Sequence, residues 1–286
     1  IRRSQRNRAL PFKPETIVGE VLGERAYSGI DPSKSEYLCP FIKTRCPKRS
    51  TSLKTEPYPV CSIWKSGGNN PADNLICVCP KRFYAVDFLD DVIANCWPGE
   101  APKNPQIAHE VKMKGFGNVD FVLADVNSDG AIGQFLSVEL QAIDITGSVM
   151  PAYLALRGGK ELDRRPSYGL NWDNVYKRYI TQLIRKGYFH HHWKTKIVAV
   201  IQEQIYRNIV ERADFMRSSN VKNDATVNII FMTYRFDNDP ARPGQFKPVL
   251  ATVEGTSHSA LSQAILYKEA PSRDQFCDQI KRSLSR

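Results

Sequence analysis

Residues 117–142 read GNVDFVLADVNSDGAIGQFLSVELQA, and this stretch contains two segments with the alternating pattern of β-strands. In the first, Val119, Phe121 and Leu123 share one face, and Asp120 lies on the other. In the second, over 135–142, apolar residues alternate with Ser137, Glu139 and Gln141 in the same way. A turn-rich segment over 127–133 joins the two. We therefore predict two neighbouring strands paired as a hairpin.

Helical and strand patterns alternate along the rest of the C-terminal part. A helix is predicted over 104–115, because Asn104 and Pro105 form a start signal and Gly115 a stop signal. The other predicted elements are a helix over 171–187, a strand over 197–201, a helix over 205–215, a strand over 226–236, and helices over 259–268 and 274–284. This arrangement favours an α/β fold with a mixed central sheet flanked by helices.

Composition and charge divide the chain in two. With 42% hydrophobic and 24% charged residues the chain is neither disordered nor fibrous, and no apolar run reaches the roughly 18 residues of a membrane span. Residues 1–86 hold 15 of the 40 Lys and Arg but 7 of the 30 Asp and Glu, and nine prolines interrupt them. We predict a basic, loop-rich module over 1–86 and a globular domain over 87–286. The basic surplus favours a polyanionic partner such as nucleic acid.

Acidic side chains of the predicted hairpin can converge on one point. Asp120 lies on the first strand, and Glu139 lies on the second with Gln141 two residues later on the same face. Neighbouring carboxylates repel unless a divalent cation lies between them, and Mg²⁺ is held by one or two carboxylates together with a substrate phosphate. Such an ion activates water for phosphodiester hydrolysis. Glu110, on the predicted helix before the hairpin, is placed to hold a second ion or a water.

Two other interpretations of the acids stay open at this point. On strand spacing alone, all of them could be solvent-facing groups at a polar sheet edge. Asp125 and Asp144 compete for the metal role, but Asp125 falls at the end of its strand and Asp144 lies beyond Gln141 near a turn. We therefore rank both below Asp120.

Five of the seven cysteines lie within 41 residues of the basic module. Clustered cysteines in an intracellular chain favour thiolate metal ligation over disulfides, and a four-thiolate site would stabilise a segment with few apolar residues. Zinc is the default ion, although iron also accepts four thiolates. The alternative is a set of buried free thiols. The predicted ligands are Cys39, Cys46, Cys61 and Cys79, with Cys77 as the substitute for Cys79.

Two motifs together resemble the NotI-like type II restriction endonucleases of the PD-(D/E)XK nuclease superfamily. The first is the cysteine module ending in Cys79-Pro80-Lys81-Arg82-Phe83, and the second is Gly117-Asn118-Val119-Asp120 followed by Val138-Glu139-Leu140-Gln141. The resemblance covers most of the chain. It implies a PD-(D/E)XK nuclease core in which Asp120 and Glu139 bind Mg²⁺, Gln141 takes the usual lysine position and Glu110 is the supporting acid.

The same resemblance implies the partners and cofactors of the protein. It implies a homodimer that cuts double-stranded DNA at a GC-rich palindrome in the bacterial cytoplasm, and a DNA methyltransferase that protects the same site. It also implies structural iron, rather than zinc, in the four-cysteine module. The chain departs from the pattern in its compact size and in its fifth clustered cysteine.

Several basic residues are candidates for DNA contacts. Arginine binds guanine with two hydrogen bonds, which suits a GC-rich site, whereas phosphate contacts add affinity without sequence information. The candidates are Arg2, Arg3, Arg45, Lys48, Arg49, Arg164 and Arg165. The run His190, His191, His192 invites a metal site, but its place between a predicted helix and strand favours a polar loop.

Two further functions fit parts of the sequence. A DNA-binding regulator would use the thiolate metal site and carry the acids only as surface charges, so its DNA binding would be unaffected by Asp120→Ala. An electron-transfer protein would use an exposed thiolate iron site, but the remaining 200 or so residues would then have no role. We therefore favour the endonuclease.

Overall fold

A computed structural model of the chain describes residues 11–50, 55–65, 70–102, 104–267 and 272–285. Its strands form a small N-terminal sheet, a six-stranded central sheet and a two-stranded ribbon. The strands are β1 (Val18–Val21), β2 (Glu24–Arg25), β3 (Val60–Trp64), β4 (Leu75–Cys77), β5 (Gln106–Met113), β6 (Gly117–Val126), β7 (Ile132–Gln141), β8 (Ile145–Gly147), β9 (Tyr168–Leu170), β10 (Lys196–Gln202), β11 (Ile229–Asn238) and β12 (Phe246–Thr256).

Helices occupy both the connections of the central sheet and the C-terminal end. They are α1 (Pro71–Asn74), α2 (Phe88–Cys96), α3 (Met150–Arg157), α4 (Trp172–Asn174), α5 (Thr181–His192), α6 (Glu203–Arg212), α7 (His258–Leu266) and α8 (Arg273–Leu284). A π-helical segment, Val175–Ile180, joins α4 to α5, and the longest 3₁₀ helix is Pro80–Ala85. Among the described residues, no helix is long and apolar enough to cross a membrane.

The central sheet is mixed and has the strand order β12-β11-β10-β7-β6-β5. The predicted hairpin is confirmed as the antiparallel pair β6 and β7, whereas β10 runs parallel to both β7 and β11. Every residue of β10 is buried, as expected for a central parallel strand covered on both faces.

Two hydrophobic clusters fill the two faces of this sheet. On one face, Ile197, Ala199 and Ile201 of β10 pack in a cluster with side chains from α3, α5, α6 and the N-terminal sheet. On the other face, Val198 and Val200 pack with α2 and with the inward side chains of β6 and β7. The predicted α/β fold, with a mixed sheet flanked by helices, is confirmed.

The N-terminal sheet has the order β2-β1-β3-β4 and is tied to the central sheet by the buried side chain of Arg82. Arg82 lies 2.9 Å from Glu20, both side chains are almost completely buried, and the same guanidinium donates to the Phe246 carbonyl at 2.6 Å. The division into a module over 1–86 and a domain over 87–286 stays a prediction. The hydrogen bond from Arg82 to Phe246 and the shared core show that the two segments pack tightly.

The predicted helix over 104–115 is wrong, because this segment is the edge strand β5. Its backbone pairs in antiparallel register with β6, from Gln106 opposite Ala124 to Met113 opposite Gly117. This pairing satisfies one side of the strand's hydrogen-bonding groups and overrides the local helix-start signal. Glu110 therefore lies on a strand next to Asp120, and not on a preceding helix.

The predicted end of a helix at Gly187 is also wrong, because α5 continues to His192. Gly187 packs against β11: a β-carbon at this position would lie 2.6 Å from Cγ1 of Ile229. The glycine is thus required by close packing and does not end the helix. His190 consequently lies in the last turn of α5, where it is completely buried, and the prediction of a polar loop over 190–192 is wrong.

The remaining predicted strands and helices are confirmed, with ends shifted by up to about three residues.

Candidate active site

Three acidic residues lie in one row across β5, β6 and β7. In the register of β5 and β6, His109 faces Phe121 and Val111 faces Val119, which places Glu110 opposite Asp120. In the register of β6 and β7, Phe121 faces Val138, and Asp120 Oδ2 accepts a hydrogen bond from the Leu140 amide at 2.8 Å. Asp120 therefore lies between Glu110 and Glu139. The alternating pattern predicted that Asp120 and Glu139 would be neighbours.

The carboxylates interact electrostatically. The pKa of Asp120 is raised above its ordinary value, mainly by burial and also by the charge of Glu110, while Lys81 and Lys186 act in the opposite direction. Burial raises the pKa of Glu139 to about 7; the charge of Lys186 and its hydrogen bond oppose this shift, and the charges of Asp120 and Glu110 add to it. Buried carboxylates that repel one another are typical of sites that hold a cation or exchange protons.

Glu139 is paired with a lysine from α5. The Lys186 ammonium forms an ion pair with Oε1 of Glu139 and donates to the Asn118 carbonyl at 2.7 Å. The lysine side chain is 6% exposed and that of Glu139 16%.

Glu110 has a left-handed backbone conformation, with φ of 52°, and accepts a hydrogen bond from the Asn118 side chain at 3.4 Å. Non-glycine residues rarely adopt this conformation, and such strain clusters at functional sites.

Gln141 lies half-buried at the end of β7, two residues beyond Glu139, where its side-chain amide donates to the Ala142 carbonyl. Of the two competing acids, Asp144 accepts a hydrogen bond from the side chain of Asn174. Asp125 lies near the end of β6, five residues beyond Asp120. Neither is among the groups whose charges shift the pKa of Asp120 or Glu139.

The charges of other clustered cysteines act on the thiols of Cys46 and Cys61. Cys39 and Cys46 flank a tight turn in which the Cys39 amide donates to the Thr44 carbonyl at 2.8 Å. Burial raises the pKa of Cys46, and charge on Cys79 and Cys39 raises it further. Burial also raises the pKa of Cys61, and charge on Cys79 again contributes.

Cys77 differs from these four thiols. Its sulfur donates to the Cys79 carbonyl at 3.2 Å, and its side chain packs in a cluster with Trp64, Phe236 and Phe246. Burial raises its pKa to about 12.

The family resemblance implies two metal ions, one at the carboxylates and one at the thiols. Within the part of the chain that the structure describes, no three or more His, Cys, Asp or Glu side chains are grouped as an ion-binding set. The donor chemistry nevertheless fits: carboxylates on neighbouring strands suit Mg²⁺, and four thiols suit zinc or iron. Asp120 and Glu139 would hold the first ion, and Cys39, Cys46, Cys61 and Cys79 the second.

The basic candidates have different surroundings. Lys48 donates to the carbonyls of Val60 and Val78 at 2.7 and 2.9 Å, so its ammonium points into the module. Arg49 donates to the Cys46 carbonyl at 2.7 Å. The guanidinium of Arg45 lies over the ring of Tyr37. Arg164 and Arg165 are exposed in the loop between α3 and β9, whereas Arg2 and Arg3 lie outside the described residues.

Three residues near the acids were not identified from the sequence: Lys186, Lys81 and Tyr179. Lys186 lies three residues after the buried Leu183 on α5. A lysine at a position of the helix that faces the core could have indicated a functional role. Tyr179 is buried and its hydroxyl has no hydrogen-bond partner among the described residues. Its pKa is raised well above the ordinary value, first by burial and then by Glu139 and Asp120. No local pattern pointed to Lys81 or Tyr179.

Comparison with known proteins places these residues within one family. The family model described as restriction endonuclease NotI matches residues 20–247 of the 286-residue chain, a range that contains both the clustered cysteines and the row of acids. No curated protein and no solved structure matches the chain. The match covers most of the chain, and the chain therefore belongs to the NotI restriction endonuclease family, a family of type II enzymes that act as site-specific deoxyribonucleases on double-stranded DNA.

Proposed function

We propose that this endonuclease hydrolyses DNA with Mg²⁺ held by Asp120 and Glu139, in a nuclease core of the PD-(D/E)XK type. One observation carries the proposal: Glu110, Asp120 and Glu139 lie side by side on three neighbouring strands, and the charge of Glu110 helps to raise the pKa of both Asp120 and Glu139. Asp120 and Glu139 are partly buried and share the single positive charge of Lys186, so a bound cation would stabilise both carboxylates. Gln141 stands beside them at the end of β7.

Hydrolysis of a phosphodiester requires little covalent participation from the protein. A water oxygen forms the new bond to phosphorus, the bond to the leaving oxygen breaks, and the leaving oxygen takes up a proton. Mg²⁺, when bound, supplies water activation and charge neutralisation. The Leu140 amide fixes one oxygen of Asp120, so that this carboxylate is already oriented before substrate binds. Glu110 supports the site from the edge strand, and the Gln141 amide can orient water without acting as a base.

The substrate and the quaternary structure follow from the family resemblance and symmetry. A palindrome presents two equivalent strands, so a two-fold homodimer would place one active site on each strand. The exposed Arg164 and Arg165 suit guanine contacts in a GC-rich site. A methyltransferase acting on the same sequence would protect host DNA.

The cysteine module is proposed to bind one structural ion through Cys39, Cys46, Cys61 and Cys79, with iron preferred over zinc. The charges of Cys39 and Cys79 act on Cys46, and the charge of Cys79 acts on Cys61 and also on Cys77, which supports a shared site for the clustered thiols. The contact of the Cys77 sulfur with the Cys79 carbonyl favours Cys79 as the fourth ligand. Such an ion would add folding free energy to a module built largely of turns.

Digestion of bacteriophage-length duplex DNA tests the proposed reaction. Purified protein with Mg²⁺ is expected to give discrete fragments whose mapped ends share a GC-rich palindrome, and EDTA should abolish them. Sedimentation or light scattering should report a dimer. Random fragments would contradict the sequence specificity, and cleavage in EDTA would contradict the dependence on Mg²⁺. A monomer that cuts both strands at one site would contradict the homodimer.

Elemental analysis tests the cysteine module. The purified chain is expected to contain about one iron or zinc per protomer, since four thiolates form one closed tetrahedral site. Cys79→Ser should lose the metal and lower the melting temperature, whereas the matched variant Cys77→Ser should keep it. Metal-free wild-type protein of unchanged stability would contradict the assignment.

A further inference from the structure

We propose that Lys186 is the positively charged residue of the cleavage site and fills the role that Gln141, as a neutral amide, cannot. This inference rests on the proposed function, because it takes Asp120 and Glu139 as the reacting centre. Lys186 comes from α5, and its distance in sequence from the acids explains why no local motif reveals it.

The contacts of Lys186 place its charge at the row of acids. Its ammonium is ion-paired with Glu139 and anchored by the Asn118 carbonyl at 2.7 Å. Asn118 precedes Asp120 by two residues on β6, so the lysine bridges the two strands that carry the acids. Its charge also stabilises the ionised form of Asp120. The cation therefore acts on both proposed Mg²⁺ ligands.

A second buried lysine shows what a purely structural arrangement looks like in this fold. Lys196, at the start of β10, is 7% exposed, and its ammonium donates to the backbone carbonyls of Val221, Lys222 and Asp224. Those carbonyls close a loop against the sheet. Lys186 instead directs its charge to a carboxylate of the proposed active site, which a role in packing alone does not require.

The proposed role has two parts. In the DNA-free protein, Lys186 neutralises part of the acidic charge and so reduces repulsion of the DNA backbone. During hydrolysis, negative charge increases on the oxygens around phosphorus, and a preplaced ammonium stabilises that charge without reorganisation. Lys186 is thus a positioning residue toward Glu139 and a source of positive charge for the bound phosphate.

The test compares five purified proteins: wild type, Lys186→Met, Lys186→Arg, Lys196→Met and Asp120→Ala. Three quantities are measured for each: the single-turnover cleavage rate in Mg²⁺, the DNA affinity in EDTA and the melting temperature. Lys186→Gln, which keeps a hydrogen-bond donor but no charge, replaces the methionine variant if that variant does not fold.

Lys186→Met is expected to cut about 100-fold more slowly or worse, the scale seen when one preorganised donor is removed from a transition state. Lys186→Arg should recover most of the rate. In EDTA, Lys186→Met should bind DNA about tenfold more weakly, and Lys186→Arg should bind normally. Lys196→Met should lower the melting temperature and leave the cleavage rate of the folded protein within about threefold.

Other results overturn the inference. Cleavage by Lys186→Met at the wild-type rate excludes a role for the charge. Equal losses in the methionine and arginine variants, together with equal falls in melting temperature, would show that Lys186 only supports the fold. The Asp120→Ala protein separates the two proposals: if it cleaves normally, the site itself is misplaced, whereas if it is inactive and Lys186→Met is active, only the inference on Lys186 fails.

Discussion

His190 makes a pH-dependent contribution to stability that follows from its surroundings. Its ring is completely buried, with Nδ1 2.7 Å from the Lys186 carbonyl and Nε2 2.7 Å from the Ser137 hydroxyl. A carbonyl can only accept, so Nδ1 carries the hydrogen and donates, and Nε2 accepts from Ser137. The neutral imidazole therefore satisfies both neighbours, and a second proton would place a charge inside the protein.

Burial, with a smaller effect from the charge of Lys186, lowers the pKa of His190 from 6.5 to about 4. Because the unfolded chain then binds a proton more readily than the folded protein, stability is full above pH 6.5 and decreases as pH falls toward 4. One unit of pKa difference corresponds to about 1.36 kcal/mol. Lowering the pH from 7 to 5 should therefore remove about 2 kcal/mol of unfolding free energy through this residue.

Urea unfolding at pH 7 and pH 5 measures this contribution. His190→Gln cannot titrate in this range, so it is expected to be less stable at pH 7 but to lose about 2 kcal/mol less than wild type between the two pH values. The control His191→Gln changes an exposed histidine of the same turn and should keep the wild-type pH dependence. If wild type and His190→Gln lose equal stability, the burial argument is refuted.

Two substitutions test the packing around the site. Arg82→Met should destabilise the fold by about 3–5 kcal/mol because it leaves the buried Glu20 carboxylate unpaired, and the double variant with Glu20→Leu should recover most of that loss in urea unfolding. A single-variant effect that the double variant does not relieve would argue against the ion pair as the cause. Gly187→Ala should cost about 1–3 kcal/mol, since its methyl group would overlap the side chain of Ile229. An increase in melting temperature, the usual result at an open helical position, would contradict the close packing of α5 on β11.

The central sheet was predictable from the sequence where a single local pattern sufficed. The alternation around Asp120 and Glu139 correctly predicted two strands, their pairing and the face on which each acid lies. It did so because one face of each strand is buried and the other carries the acids. The edge strand β5 was not predictable in the same way. Most of its residues are exposed, and its alternation is clear only over 110–113, between the helix start and stop signals at Pro105 and Gly115; its pairing with β6 makes it a strand.

Residues that depend on tertiary contacts were the ones missed or misplaced. Gly187 resembled a helix stop, but its lack of a side chain serves close packing against Ile229. Lys186 belongs to the site only through tertiary contacts, because its partner Glu139 lies 47 positions away in the sequence. The ligand choice between Cys77 and Cys79 likewise depends on where each sulfur points, which spacing does not determine.

The identity of the catalytic acid is tested most directly by a pair of variants on one strand. Asp120→Asn and Asp125→Asn make the same chemical change five residues apart on β6, and the single-turnover cleavage rate in Mg²⁺ is measured for both. We expect the cleavage rate of Asp120→Asn to fall about a thousandfold or more, and that of Asp125→Asn to stay within about threefold of wild type. Full activity in Asp120→Asn, or inactivity in Asp125→Asn alone, would contradict the assignment of the active site to the row of acids across β5, β6 and β7.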